Sequence, residues 1–253
     1  METNELAEAL VALETGDYDS AYELFMSLAD SGNAVASYNL GWMYENGQGV
    51  TQDDEEAIKG FRKSAEQGNQ LAQLRLGWLC EQGDGLELYD EEAIELYWKS
   101  AEQGNEFAQC RLGVFYQGGE GVAQDDTLAI EWYWKSAEQE NQLSQLSLGW
   151  MYECGRGVKQ NHELAFEWYR KSAEQGNHFA QLHLGFMYEI GRGVSQCDEE
   201  AVKWQSLALE RENVSLENKL GWVNADSQFV MQDDYEEIIE WLRNEGYAFL
   251  ENR

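Results

Sequence analysis

The Leu-Gly dipeptide at Leu148 belongs to a pattern that recurs along most of the chain. The stretch from Leu148 to Gly176 reads LGWMYECGRGVKQNHELAFEWYRKSAEQG, and matching dipeptides stand every 36 residues, at Leu40, Leu76, Leu112, Leu148, Leu184 and Leu220. A fixed period between about 20 and 50 residues is the sequence signature of a solenoid, in which each repeat buries its apolar face against its neighbours. The pattern therefore predicts one quasi-linear domain over residues 1–253. The absence of proline suits a chain made of helices and short turns.

The first half of each repeat is predicted to form a helix, here called helix A. Ala36, Leu40 and Tyr44 are four residues apart, so they lie on one helical face. Gly41 recurs inside this helix in every repeat, although glycine in a helix costs about 1 kcal/mol relative to alanine. We therefore expect its missing side chain to let a partner helix approach closely. The paired glycines that begin at Gly47 are predicted to end helix A. They do not predict a phosphate-binding loop, because no strand precedes them and no Gly-Lys-Ser/Thr follows.

The second half of each repeat predicts a second helix, here called helix B. Asp53 is a good N-cap residue, and the acidic residues after it suit the positive end of a helix dipole. This explains the acidic run better than metal binding does. Ala57, Phe61 and Ala65 follow at helical spacing and are predicted to be buried against helix A.

The whole pattern, A-x-x-x-L-G-x-x-Y-x-x-G-x-G-V-x-x-D-x-x-x-A…K-x-A-E-Q-G, resembles the Sel-one-like repeat, a relative of the tetratricopeptide repeat. The match covers residues 33–212. The resemblance implies an all-α fold, an αα-solenoid of about seven helix pairs coiled into a right-handed superhelix, which serves as a protein-binding scaffold. We predict an N-terminal capping helix pair over 1–32, five full 36-residue repeats over 33–212 and a degenerate C-terminal capping repeat over 213–253.

The resemblance also suggests where a partner binds, because helix A lines the concave face of tetratricopeptide-like stacks. The helix A positions opposite the predicted core then form a groove with an aromatic floor and one acidic row: Tyr38, Trp42, Glu45, Leu74, Trp78, Glu81, Val114, Leu146, Trp150, Glu153, Phe186, Glu189 and Trp222. Alternatively, these aromatic side chains pack between neighbouring repeats. In helix B, Trp132 and Trp134 cannot share one face, so one is predicted to be core and the other to lie on the outer surface.

The charge of the chain restricts its partners. It has 17 basic and 48 acidic residues, a formal charge of −31, and 13 of the acidic residues precede the first cation, Lys59. Such a protein repels nucleic acids and anionic membranes at long range, so neither is expected as a partner. The expected partner is a protein or peptide of basic or basic-aromatic character, either in the groove or on the acidic N-terminal repeats. The excess charge is also explained by solubility alone.

Neither the histidines nor the cysteines predict a catalytic or metal site. The three histidines, His162, His178 and His183, have no spacing that suggests a nucleophile and its base, and His183 on helix A is expected to be solvated. The four cysteines stand at different repeat positions, so neither a periodic disulfide framework nor a zinc site is predicted. We expect no enzymatic activity, no cofactor and no bound metal.

The sequence therefore predicts a cytoplasmic, non-catalytic scaffold or adaptor that binds a partner protein in the groove. The cytoplasmic location is inferred from reduced thiols and from an N-terminus without a basic region or a long apolar run. The alternative is an acidic inhibitor or immunity-type protein that neutralises a basic toxin or nuclease, because complementary charge speeds association and sets specificity.

Overall fold

The structure, a computed structural model, describes residues 2–82 and 90–210. Within them it contains twelve α-helices and no strand: α1 (Glu2–Thr15), α2 (Tyr18–Asp30), α3 (Ala34–Asn46), α4 (Asp54–Glu66), α5 (Gln70–Gln82), α6 (Asp90–Glu102), α7 (Glu106–Gly118), α8 (Asp126–Ala137), α9 (Gln142–Cys154), α10 (His162–Glu174), α11 (His178–Ile190) and α12 (Asp198–Glu210). The all-helical solenoid is confirmed as far as these residues extend. The predicted capping repeat over 213–253, with Trp222, lies outside the described residues. None of the described helices combines the length and the apolar composition needed to cross a membrane.

The chain divides into two compact units, Met1–Asn161 and His162–Arg253. The first contains α1 to α9, and the described part of the second contains α10 to α12. The prediction of a single domain over residues 1–253 stays a prediction.

The helix ends follow from local chemistry. Gly47 caps α3 in the left-handed region with φ +63°, which confirms that the paired glycines end helix A. Asp53 caps α4 as predicted, and its carboxylate accepts the backbone N–H of Glu56 at 3.1 Å. Helix A has a cap of its own that the sequence analysis did not identify. An asparagine side chain accepts the backbone N–H three residues later in every full repeat, at Asn33, Asn69, Asn105, Asn141 and Asn177.

The helix pairs α3–α4, α5–α6 and α7–α8 of the first unit are held by the close approach that the in-helix glycine permits. A Cβ atom on Gly41 would lie 2.8 Å from ring carbons of Phe61 and 2.9 Å from the carbonyl oxygen of Ala57. A Cβ atom on Gly113 would lie only 2.5 Å from two ring carbons of Tyr133, which has no exposed surface. Helix B therefore inserts an aromatic ring into the space where helix A has no side chain.

In the first unit, polar side chains that bind backbone oxygens hold the two helices of a repeat together and join one repeat to the next. The Ser64 hydroxyl donates to the carbonyl oxygen of Ala34 at 2.7 Å, and the Gln73 amide donates to that of Ala65 at 3.2 Å. The Gln103 amide in turn donates to the Gln73 side-chain oxygen at 2.8 Å. The same bonds recur in the next repeat, at Ser100, Gln109 and Gln139. The serine of the repeat motif therefore ties the two helices of one repeat together, and the Gln73-type glutamine ties each repeat to the one before it.

In the second unit, α11 packs against both α10 and α12. His183 on α11 is buried, with 1% of its surface exposed, and its ring stacks on Tyr169 of α10 at 4.6 Å between ring centres. The expectation that His183 is solvated was therefore wrong. The reason is that Tyr169, the aromatic core residue of α10, turns the face of its ring toward α11. The His183 imidazole covers that ring face.

Candidate functional site

The structure divides the predicted groove residues into half-buried and buried groups. Tyr38, Trp42, Glu45, Trp78, Glu81, Val114, Trp150 and Phe186 are half-buried and Glu189 is exposed. Leu74, Leu146 and Glu153 are buried, with 4%, 2% and 2% of their surface exposed, so these three do not line an open surface. The position that Tyr38 occupies in its repeat is occupied by Leu74, Cys110 and Leu146 in the next three repeats. All three side chains are buried, because this position points between helices.

A second helix A position gives the surface its apolar character. Val35 and Leu71 are 37% and 39% exposed, and Phe107 and Leu143 at the same position are half-buried. Each precedes the Trp42-type position by seven residues, about two helical turns, and so shares its face. We call this surface of the first unit the A face: Val35, Trp42, Leu71, Trp78, Phe107, Val114, Leu143 and Trp150.

The tryptophans of the A face are partly used inside the molecule. Trp42 packs against the core cluster of α1 to α3 and also against that of α4 and α5. The Arg75 guanidinium lies 4.4 Å from the centre of the Trp78 ring, and Arg156 lies 5.3 Å from that of Trp150. The two interpretations left open by the sequence are therefore compatible, because one part of each ring packs between repeats and another reaches the surface.

The predicted acidic row is largely paired within the chain. Arg75 donates to Glu45 from Nε at 3.0 Å and from Nη2 at 2.5 Å. Arg111 forms an ion pair with Glu81, whose other oxygen accepts the Tyr97 hydroxyl at 2.8 Å. Burial lowers the pKa of Arg111 to about 10, which still leaves it charged at neutral pH.

These ion pairs give the predicted acidic row a structural role in place of the expected role in attracting a partner. Glu45 and Glu81 connect consecutive repeats, and they are not free to attract a partner. In the second unit, Glu189 accepts the side-chain amide of Gln205 at 3.0 Å. These arginines were not predicted from the sequence, although each stands 30 residues after the carboxylate that it pairs with, which is a usable signal.

Unpaired negative charge is concentrated at the start of the first unit. Seven carboxylates of α1, α2 and the turn between them are exposed, and none of the seven forms an ion pair with a described residue: Glu5, Glu8, Glu14, Asp17, Asp19, Glu23 and Asp30. This group of exposed carboxylates has no cation paired with it in the part of the chain that the structure describes.

The structure places only one of the two helix B tryptophans in the core, as predicted. Trp132 is buried, and the Lys135 ammonium lies 3.8 Å from its ring centre. Trp134 is half-buried and donates from its indole nitrogen to the Tyr152 hydroxyl at 3.3 Å. Only one of the pair is therefore core, and the other is tied to the next repeat by a hydrogen bond.

The thiols and acids of the described residues form no recognisable reactive site. Burial raises the pKa of Cys80 and of Cys110 to about 11, which makes both weak nucleophiles. No group of three or more His, Cys, Asp or Glu side chains within residues 2–82 and 90–210 is arranged to hold a metal ion.

Paired antiparallel helices with a fixed period, joined by the same side-chain bonds in each repeat, define an αα-solenoid repeat protein. The sequence profile of the Sel1 repeat matches residues 34–69, 70–105, 107–141, 142–177 and 178–213. These matches cover more than half of the chain, so it belongs to the Sel1-repeat family. Proteins of this family generally mediate protein–protein interaction.

Solved structures agree with this assignment. The chain is 36% identical to a protective antigen of uropathogenic Escherichia coli strains that displays an SLR fold, and the TM-score is 0.79. The match covers 84% of this chain and 46% of the antigen. It thus spans less than half the length of that protein. A Sel1 repeat protein from Oxalobacter formigenes is 34% identical with a TM-score of 0.75, over 84% of this chain and 89% of the other.

More distant matches include an immunity protein from Pseudomonas aeruginosa, which is 20% identical with a TM-score of 0.48 over 88% of both chains. A comparison with curated proteins found no match.

Proposed function

We propose that the protein is a non-catalytic scaffold that binds a segment of a partner protein on its A face. The observation that carries the proposal is the exposure of Val35 and Leu71 at the same position of consecutive repeats, on the face that also holds Trp42 and Trp78. Apolar side chains in this arrangement, flanked by polar groups, are typical of a protein-interaction surface.

The energy available from this surface suits a moderate affinity. Fully burying a Val or Leu side chain contributes about 1.5–3 kcal/mol, so covering the exposed third of Val35 and Leu71 contributes about 0.5–1 kcal/mol each. The half-buried tryptophans add aromatic contact area, which is enriched at the centres of interfaces.

Charge supports a basic partner. The formal charge of −31 and the exposed carboxylates of α1 and α2 attract cationic proteins and orient their approach. We infer a segment with apolar and basic side chains. We also infer a cytoplasmic location, because the cysteines occupy unrelated repeat positions and two are buried thiols, as suits a reducing compartment.

The test compares capture from a lysate of the native cells by three immobilised forms of the protein. One is the wild type, one carries Val35→Ser and Leu71→Ser, and the control carries Met26→Ser, a helix B residue that is also 37% exposed. We expect the double variant to capture about tenfold less of the specifically bound proteins than the wild type, the factor that corresponds to about 1.4 kcal/mol. The control should capture as much of them as the wild type does. Equal capture by all three forms would reject the A face as the binding surface.

The acidic inhibitor or immunity-type function is the second candidate, and the observation in its favour is the field of unpaired carboxylates on α1 and α2. For this function, replacing Glu14, Asp17, Asp19 and Glu23 by their amides should abolish capture of a basic protein, while the double A face variant should retain it. Capture of that protein should also fall steeply as salt rises from low to physiological concentration, because surface charges are screened over about 8 Å at 0.15 M.

A further inference from the structure

The N-terminal helix α1 occupies the same structural position as the helix A of a full repeat, and its capping fixes the register. Gly16 lies in the left-handed region with φ +79°, as Gly47 does with φ +63°. The Asp17 N–H donates to the carbonyl oxygen of Ala12 at 2.9 Å, as the Gln48 N–H donates to that of Met43 at 2.9 Å. Counting back from the two glycines, Glu14 on α1 corresponds to Glu45 on α3.

The contacts of Glu45, the residue on α3 that corresponds to Glu14, show how the molecule holds a guanidinium group. Arg75 on α5 binds Glu45 of the preceding helix A through two nitrogens, and its carbon Cζ lies 4.4 Å from the ring centre of Trp78. The group is therefore held by a carboxylate from one repeat and an aromatic face from the next. This combination favours arginine, whose planar cation both pairs with carboxylates and stacks on rings.

Between α1 and α3 the carboxylate and the ring are present but the arginine is missing. Glu14 takes the place of Glu45, and Trp42 takes the place of Trp78. The position of Arg75 is occupied by Asn39, whose side chain is turned back to donate to the Val35 carbonyl oxygen at 2.8 Å. Glu14 is exposed and forms no ion pair, and no cation of the described residues lies over the Trp42 ring.

The two elements also lie against each other. Leu10 and Leu13 of α1 pack against the core cluster of Ala9, Leu40 and Met43, and Trp42 packs against the same cluster. The first cation of the chain is Lys59, so no residue before it can supply the missing charge.

We propose that an arginine side chain of the partner protein binds between Glu14 and Trp42, in the position that Arg75 occupies between Glu45 and Trp78. This inference rests on the proposed function, because it names the cationic contact at the N-terminal end of the A face. The partner's guanidinium donates to the Glu14 carboxylate, which serves as its counter-ion, and covers the exposed part of the Trp42 ring.

The test uses N-acetyl-arginine amide as the probe and N-acetyl-citrulline amide as the control, since citrulline has nearly the same shape without the charge. Both are titrated to tens of millimolar, at constant ionic strength, into the ¹⁵N-labelled full chain. The indole N–H signal of Trp42, assigned with Trp42→Phe, is followed. We expect the arginine compound to shift this signal and the citrulline compound to leave it nearly unchanged.

Two variants test the role of the carboxylate. Glu14→Gln should reduce the shift of the Trp42 signal several-fold, whereas Glu23→Gln, at another exposed carboxylate, on α2, should leave it unchanged. Asn39→Arg should place an internal arginine in the site and abolish the response. If that variant does not fold, because Asn39 is buried, the comparison of Glu14→Gln with Glu23→Gln decides alone.

The outcomes separate this inference from the proposed function. A Trp42 response that is the same for both compounds, or that Glu14→Gln does not reduce, overturns the arginine site. If Val35→Ser with Leu71→Ser still reduces partner capture about tenfold in that case, the A face function stands and only the arginine site falls. A specific arginine response without any effect of the A face variants would reject the scaffold proposal instead.

Discussion

The close contact of Gly113 with Tyr133 allows two glycines of one helix to be compared directly. Alanine is favoured over glycine inside a helix by about 1 kcal/mol, so any Gly→Ala change on α7 begins with that gain. At Gly113 the new Cβ would lie 2.5 Å from two ring carbons of Tyr133, whereas carbon atoms normally meet at about 3.5–4.0 Å. An overlap of about 1 Å against a buried ring should reduce the free energy of unfolding by about 3 kcal/mol, the upper end of the usual cost of overpacking.

Gly113→Ala should therefore destabilise the first unit by about 2 kcal/mol net, once the gain in helix propensity is subtracted. The ring cannot swing away easily, because its hydroxyl donates to the Gln117 side chain at 2.8 Å and its surface is completely buried. The matched control is Gly118→Ala on the same helix, where the new Cβ would meet only the Glu120 side chain, at 3.8 Å. This change should be neutral or stabilising by up to about 1 kcal/mol.

Urea denaturation followed by far-ultraviolet circular dichroism measures both variants against the wild type. A third variant, Gly77→Ala, should lie between them, because its Cβ would stay 3.0 Å or more from the Tyr97 ring. Because repeat proteins do not always unfold in one step, midpoints of the same transition are compared. If Gly113→Ala were as stable as Gly118→Ala, the close helix contact would not be the reason for the recurring glycine.

Three further predictions concern single residues. Glu140 lies in the left-handed region with φ +68°, where other repeats have glycine, so Glu140→Gly should stabilise the protein by about 0.5–1 kcal/mol in urea denaturation. Asn105→Ala should destabilise it by about 1 kcal/mol in the same assay, since the Asn105 side chain caps α7 by accepting the Ala108 N–H at 2.9 Å. At pH 8, Cys110, whose pKa is raised to about 11 by burial, should react with a chromogenic disulfide reagent at least about 100-fold more slowly than the exposed Cys154, and equal rates would contradict its burial.

The helices and their contact faces could be predicted because the repeat supplies several independent copies of each position. Phe61 and Ala57 are buried, Gly47 ends α3, and Asp53 begins α4, all as the spacing indicated. In each case the determining interaction lies within one repeat. A helical period and the known conformational preferences of Gly and Asp are then sufficient.

The candidate surface could be predicted less well, because it depends on how repeats stack on one another. Leu74 and Glu153 were assigned to the surface from their helical face alone, but contacts with neighbouring helices bury them. Glu45 was expected to face a partner, and it is paired with Arg75 thirty residues later. The spacing of residues on one helix does not contain this information.

Several cations in the described part of the chain are paired within it, and this explains where its negative charge remains available. Seven of them pair with a carboxylate among the described residues, three across repeats and four within one helix: Arg75, Arg111 and Arg156, and then Lys59, Lys99, Arg170 and Lys203. All seven lie after the first 58 residues. The carboxylates of α1 and α2 therefore have no internal counter-ion in the described structure.

This asymmetry gives charge and apolar contact different roles in binding. At physiological salt the field of the exposed carboxylates extends only about 8 Å, so it acts mainly on a partner that is already close to α1 and α2. It then raises the rate of association and orients a basic segment toward the adjacent A face. The exposed Val35 and Leu71 are uncharged, so their contribution should appear as slower dissociation that persists at high salt.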